Sequence, residues 1–120
     1  MNEDAPYVAI IAAEACPPGL IDEVLWGLEE DGVPARLLPS RGGSTGELAG
    51  LAAAASPLEL GIALGAAGEC AIGHAAVQRR CLLESEGPLT PAQARRAGCI
   101  AARLAKRLTL PLEDGTWKTP

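Results

Sequence analysis

One histidine, four cysteines and a run of three carboxylates are the side chains in this 120-residue sequence that invite a chemical reading. His74 falls in a strand-like stretch, where an imidazole serves structure. Cys16, Cys70, Cys81 and Cys99 are scattered with no CxxC pair. In a domain of this size that pattern points to reduced, small core residues rather than a disulfide framework or a zinc site. Glu29-Glu30-Asp31 could share a hard cation, but three neighbouring side chains supply too few oxygens for a closed Mg²⁺ or Ca²⁺ shell. Metal bound there needs a second subunit. No GxxxxGK[ST] or GxGxxG motif cradles a nucleotide phosphate, and no GxSxG, HExxH or paired nucleophile and base is present. Gly65-Ala66-Ala67-Gly68 lies between strands, not between a strand and a helix. The expectation is a protein with no catalytic residues and no cofactor of its own.

The carboxylates belong to an element that the rest of the chain is built around. From Leu20 to Gly32, at about 100° per residue, Leu20, Ile21, Val24, Leu25 and Leu28 form one stripe. Asp22, Glu23, Glu29 and Glu30 fall opposite, and Glu29 is turned about 100° from Glu30. Gly32 stops the helix as a left-handed cap. Trp26 lies among the carboxylates. Either it marks a contact surface, or its ring folds onto neighbouring methylenes. On the first reading Trp26 anchors a partner, with Glu23 and Glu30 beside it.

The final helix has the complementary charge. Ala97, Ile100, Ala101, Leu104 and Leu108 share a face; Arg95, Arg96, Arg103, Lys106 and Arg107 share the other. These five are half of the ten Lys and Arg residues. They form either a solubilising face with favourable charge at the helix C-terminus or a docking patch for an acidic partner.

Composition limits the partners. A net charge of −5 argues against nucleic acid and against anionic membrane. No apolar run approaches a membrane span, and no leader-like start is present, so a cytoplasmic protein is expected. Alanine is abundant, Phe is absent and Tyr occurs once. A core of Ala, Val, Ile and Leu buries less area per side chain than one with aromatics, which suggests modest stability alone and dependence on a partner.

The pattern along the chain gives one α/β domain over residues 1–120, with a core at about 7–108 and a loose tail at 109–120. Tyr7–Ala13 is a continuous small-apolar run, as in a strand buried on both faces. Ala35–Pro39 makes a second strand and Glu47–Ala55 a second helix. Leu58–Leu64 and Glu69–His74 form a hairpin about the glycine turn, and Arg80–Glu84 is a short fifth strand. Thr90-Pro91-Ala92-Gln93 is a helix start, with Thr as cap, Pro at the first position and Gln three on. The order β-α-β-α-β-β-β-α implies a three-layer α/β/α sandwich. Its mixed five-stranded sheet has order 2-1-3-4-5, with strand 4 antiparallel.

Four blocks carry a family resemblance. They are Tyr7–Ala13, Glu23-Val24-Leu25-Trp26-Gly27-Leu28-Glu29-Glu30-Asp31-Gly32-Val33-Pro34, Ser56–Ala63 and Gly98–Lys106. In this order they resemble the small subunit of the diol and glycerol dehydratase reactivating factors and the related medium subunit of the dehydratases. The resemblance implies a mixed five-stranded sheet in an α/β/α sandwich. It implies a chaperone whose large subunit carries the ATPase, with ATP or ADP bound there. The small subunit then acts on adenosylcobalamin-dependent dehydratase by subunit exchange that lets damaged cobalamin leave. It also implies a metal role for Glu30, reaching across the interface to a Mg²⁺ or Ca²⁺ ion held mainly by the large subunit.

The expected partners are therefore the large ATPase-like subunit and the dehydratase subunits, in the cytoplasm or a bacterial microcompartment. The alternative is the medium subunit of the dehydratase itself, contributing to the cobalamin site. The enzyme subunits carry extensions at both ends, so this chain's length is expected to favour the reactivating factor. Two departures stand out. Ala15–Gly19 replaces a first turn that in the family often contains Asp and Gly, and Ile100 stands where Asn commonly precedes the paired alanines.

Overall fold

The computed structural model describes residues 6–76, 81–106 and 116–118. Its elements are β1 (Val8–Ala12), α1 (Pro18–Glu30), β2 (Ala35–Leu37), α2 (Thr45–Ala55), β3 (Leu60–Leu64), β4 (Cys70–His74), β5 (Leu83–Ser85), α3 (Pro91–Lys106) and β6 (Trp117–Lys118). The sheet order is β2-β1-β3-β4-β5-β6. β2 and β3 run parallel to β1, and β4 runs antiparallel to β3 and β5. This is the expected 2-1-3-4-5 sheet with strand 4 antiparallel. It carries one addition: Trp117 and Lys118 pair with Ser85 and Glu84 as a two-residue sixth strand. So part of the expected loose tail joins the sheet, while residues 109–115, 119 and 120 lie outside the described residues. The start of the expected fifth strand, at Arg80, also lies outside them, and the described strand begins three residues later, at Leu83.

The two faces of the sheet are built differently. Alternation along each strand sends Val8, Ile10, Leu60, Ile62, Leu64 and Ile72 to the side of α1 and α3. Ile10, Ile62, Ile72 and Leu83 stand in register across four strands as a transverse row. The other side shows Ala9, Ile11, Ala63 and Ala71 to α2, together with Gly61 and Gly73, which face each other across the hairpin. With so little side chain beneath it, α2 settles onto backbone. A Cβ on Gly61 would lie 2.3 Å from the Ala53 nitrogen, and one on Gly73 would lie 2.7 Å from the Ala49 oxygen. Ala49, Ala52 and Ala53 are fully buried there. The small residues that limit buried area thus permit close approach and interior-like density.

The helix ends follow local chemistry. Ser44 and Glu47 form a reciprocal capping box at α2, each side chain bonded to the other residue's backbone N–H. The helix therefore starts two residues before the expected Glu47. Thr90 and Gln93 make the same exchange before α3, as their spacing predicts. α1 ends at a left-handed Gly32 (φ 70°). The Val33 N–H bonds the Leu28 carbonyl at 3.0 Å and the Gly32 N–H bonds the Glu29 carbonyl at 2.9 Å, a Schellman closure. β3 begins two residues later than expected because residues 56–59 form a turn. There the Glu59 N–H bonds the Ser56 carbonyl and Glu59 takes φ 61°.

Candidate partner-docking site

Backbone contact between α1 and α3 creates the site. A Cβ on Gly27 would sit 2.0 Å from the Arg95 carbonyl oxygen, and one on Gly98 would sit 2.2 Å from the Val24 carbonyl oxygen. Only glycine fits at either position without moving a helix. The two helices lie side by side on the large-residue face of the sheet, with Val24, Leu28, Ala94, Ala97, Ile100 and Ala101 buried beneath them. The acidic side of α1 and the basic side of α3, separate in sequence, consequently border one seam.

The three residues singled out in α1 meet at that seam on a single guanidinium. Arg95 Nε donates to Glu23 Oε1 at 2.8 Å and Nη1 donates to Glu30 Oε2 at 3.2 Å. The guanidinium carbon stands 5.2 Å from the centre of the Trp26 ring, within cation–π range. Trp26 is 47% exposed, so its ring faces solvent beside Arg95. Trp26, Glu29, Glu30 and Arg95 line a shallow depression of about 490 Å³. Glu29 thus shares the surface with Glu30, although the helix wheel turns the two apart. The Arg95 pKa is raised, first by its hydrogen bond to Glu23 and then by the nearby carboxylate charges.

The basic face of α3 is correspondingly redirected. Besides Arg95, Lys106 Nζ donates to the Asp31 carbonyl at the end of α1, a favourable place for a cation. Arg95 and Lys106 of that face therefore serve the helix pair, while Arg107 lies outside the described residues. Sequence reasoning placed Arg95 on the basic face of α3 but missed its union with Glu30 and Glu23, which lie 65 and 72 residues away, beyond any local periodicity. The available signal was glycine within two helical patterns, at Gly27 and Gly98, where a packing reason is the usual explanation.

A metal at Glu30 would draw little else from this chain. Among the described residues no three His, Cys, Asp or Glu side chains converge as a metal cage. Glu30 Oε2 is held by Arg95, whereas Oε1 lies 3.9 Å from Cys99 Sγ, and the side chain is 55% exposed. That donor set fits one ligand of a shared site. The Cys99 thiol is pushed up by burial and by Asp31 and Glu30, and its soft sulfur does not suit a hard cation such as Mg²⁺ or Ca²⁺. No cysteine pairs with another, and His74 sits at the end of β4, 4.0 Å from Glu59.

A second cavity, of about 550 Å³, lies at the C-terminal ends of β1 and β3, lined among others by Ala13, Ser44, Thr45, Glu69 and Glu84. Open α/β sheets commonly bind ligands at such a switch point. Here, however, the Ser44 N–H is taken by Glu47. Glu69 accepts from the Thr45 hydroxyl and the Ala67 N–H. Two carboxylates at the helix entry make it a poor phosphate cradle.

Comparison with known proteins agrees with this architecture. The family model for the dehydratase medium subunit matches residues 5–111, and the chain belongs to that family. Within it, the chain is similar to small subunits of reactivating factors. It is 45% identical over 62 residues to the diol dehydratase-reactivating factor small subunit of Klebsiella michiganensis, a match spanning 52% of this chain and 49% of that protein. It is 37% identical over 91 residues to the protein named "Probable glycerol dehydratase-reactivating factor small subunit" of Citrobacter freundii, spanning 74% and 78%.

Among solved structures, a chain of glycerol dehydratase reactivase superposes with a TM-score of 0.79 at 37% identity, covering 88% of this chain and 96% of that one. A chain of diol dehydratase-reactivating factor complexed with ADP and Mg²⁺ gives 0.77 at 33% identity, covering 88% and 97%. Both named relatives are reactivating-factor small subunits, so the alternative of an enzyme medium subunit is not favoured. Among the described residues no helix is long and apolar enough to cross a membrane.

Proposed function

We propose that this chain is the non-catalytic small subunit of a chaperone-like reactivating factor for adenosylcobalamin-dependent diol or glycerol dehydratase. It pairs with a large ATPase subunit in the cytoplasm and acts by subunit exchange that lets damaged cobalamin leave the enzyme. The observation that carries this reading is the near-complete overlap of the fold with reactivase chains. The docking face is the α1–α3 seam, with Trp26 as anchor and Glu23 and Glu30 beside it. Glu30 gives one carboxylate oxygen to a divalent cation, Mg²⁺ or Ca²⁺, held mainly by the large subunit. Such an ion prefers charged oxygen ligands.

The test is titration of the large subunit with purified variants. Trp26→Ala should weaken the complex at least tenfold, since truncated aromatic anchors cost about 2 kcal/mol or more. Its fold should be intact, because the ring is on the surface. Unchanged affinity removes Trp26 from the interface. Glu30→Gln should weaken assembly in Mg²⁺ and make it insensitive to chelator. The control for the metal is Asp22→Asn, about 12 Å back along the same helix, which should keep the wild-type response to chelator. If chelator leaves wild-type assembly unchanged, Glu30 holds no metal. The isolated chain should turn over no ATP; hydrolysis that co-purifies with the wild type and disappears in a cavity variant such as Glu69→Ala would overturn that.

A further inference from the structure

A docking face made of one tryptophan and two glutamates on a helix is, left to itself, poorly organised. Long acidic side chains lose rotamer freedom on binding. Glu23 and Glu30 also carry like charges on one side of α1. Arg95 removes both difficulties. Its planar fork takes one oxygen from each carboxylate while its guanidinium carbon stands over the Trp26 ring, 5.2 Å from the centre, a combination lysine cannot reproduce. Its own backbone is fixed, because the Arg95 carbonyl lies where Gly27 leaves no room for a side chain. The guanidinium is therefore delivered to the face by the rigid helix pair and not by a mobile surface segment.

We propose that Arg95 is the positioning residue of this docking face. It holds Trp26, Glu23 and Glu30 in the bound arrangement before the partner arrives, and it remains as the counter-charge that lets the two carboxylates be covered. The occupant is the large subunit of the reactivating factor, so this inference rests on the reading of the face given above. Two carboxylates on one guanidinium, with Glu29 alongside, leave the depression net negative. The complementary surface is a basic or cation-bearing one.

The test uses full-length chain carrying Trp117→Phe, so that emission reports Trp26 alone. Arg95→Met keeps the aliphatic stem and removes the fork; Arg95→Lys keeps the charge and removes the fork. In the free subunit, Arg95→Met should raise acrylamide quenching of Trp26 and lower its anisotropy. Affinity for the large subunit should fall about tenfold, and a double-mutant cycle with Trp26→Ala should show coupling of at least about threefold. Arg95→Lys should recover less than half of the loss on a logarithmic scale, and it carries the test if Arg95→Met fails to fold. Additive effects, or Trp26 emission in the free subunit that ignores Arg95, overturn the inference while leaving the face in place. If Trp26→Ala itself binds like wild type, the reading of the face falls and this inference falls with it.

Discussion

Gly27→Ala is expected to destabilise the free chain by about 3 kcal/mol or more, a large share of a typical folding free energy. The added methyl meets the Arg95 carbonyl oxygen at 2.0 Å and its carbonyl carbon at 3.1 Å. Backbone cannot swing aside as a flexible side chain would, so α1 and α3 must separate or the helix must bend. The modest gain in helix propensity from replacing glycine, about 0.5–1 kcal/mol, does not offset this. In a domain of this size the thermal midpoint should fall by about 10 °C or more. Separation of the helices also moves Arg95 away from Glu23 and Glu30, so partner affinity should fall further than stability alone requires. Gly50→Ala in α2 is the control, because a Cβ there meets nothing within 4 Å, and it should be neutral or slightly stabilising. Equal midpoints for the two variants would falsify the close helix contact.

Ile62→Ala should cost about 2–5 kcal/mol, the range for truncating a buried aliphatic residue. Ile62 is fully buried at the middle of the transverse row, between Ile10 and Ile72. Its neighbours are anchored to strands paired on both sides, so the cavity cannot close by a small shift. A core without phenylalanine has few larger side chains to lean into the gap. Leu51→Ala, on the 42% exposed outer side of α2, should change stability by less than about 0.5 kcal/mol. Urea denaturation should show the midpoint shifting for Ile62→Ala with its slope preserved. A loss below about 1 kcal/mol would mean that the row is not the centre of the core.

The layers and strand order were legible because each element has a local signature. The apolar run at β1, the Thr90–Gln93 cap and the Gly32 stop each act within a few residues, and each stands where the pattern places it. Boundaries moved where a side chain outside the apolar pattern controls the backbone, as Ser44 does at α2 and Ser56 does before β3. β6 was illegible: two residues after a proline-containing stretch show no alternation, and they are a strand only because β5 offers an edge. The candidate face was half legible. The wheel placed Trp26, Glu23 and Glu30 together, but their union on Arg95 depends on how two helices cross, and that is set by Gly27 and Gly98 through contacts with no sequence period.

The strand order also bears on solubility. The strands at the ends of the sheet are short, three residues in β2 and two described in β6. Long unpaired edges invite other chains to add on, and brevity is one way to blunt them. β2 carries a further deterrent in Arg36, whose guanidinium carbon stands 4.4 Å from the centre of the Tyr7 ring, so a charge sits at the middle of that edge. The well-formed strands β1, β3 and β4 are each paired on both sides. Lateral growth of the sheet into a fibril therefore has little backbone to start from, even when the docking face stands uncovered.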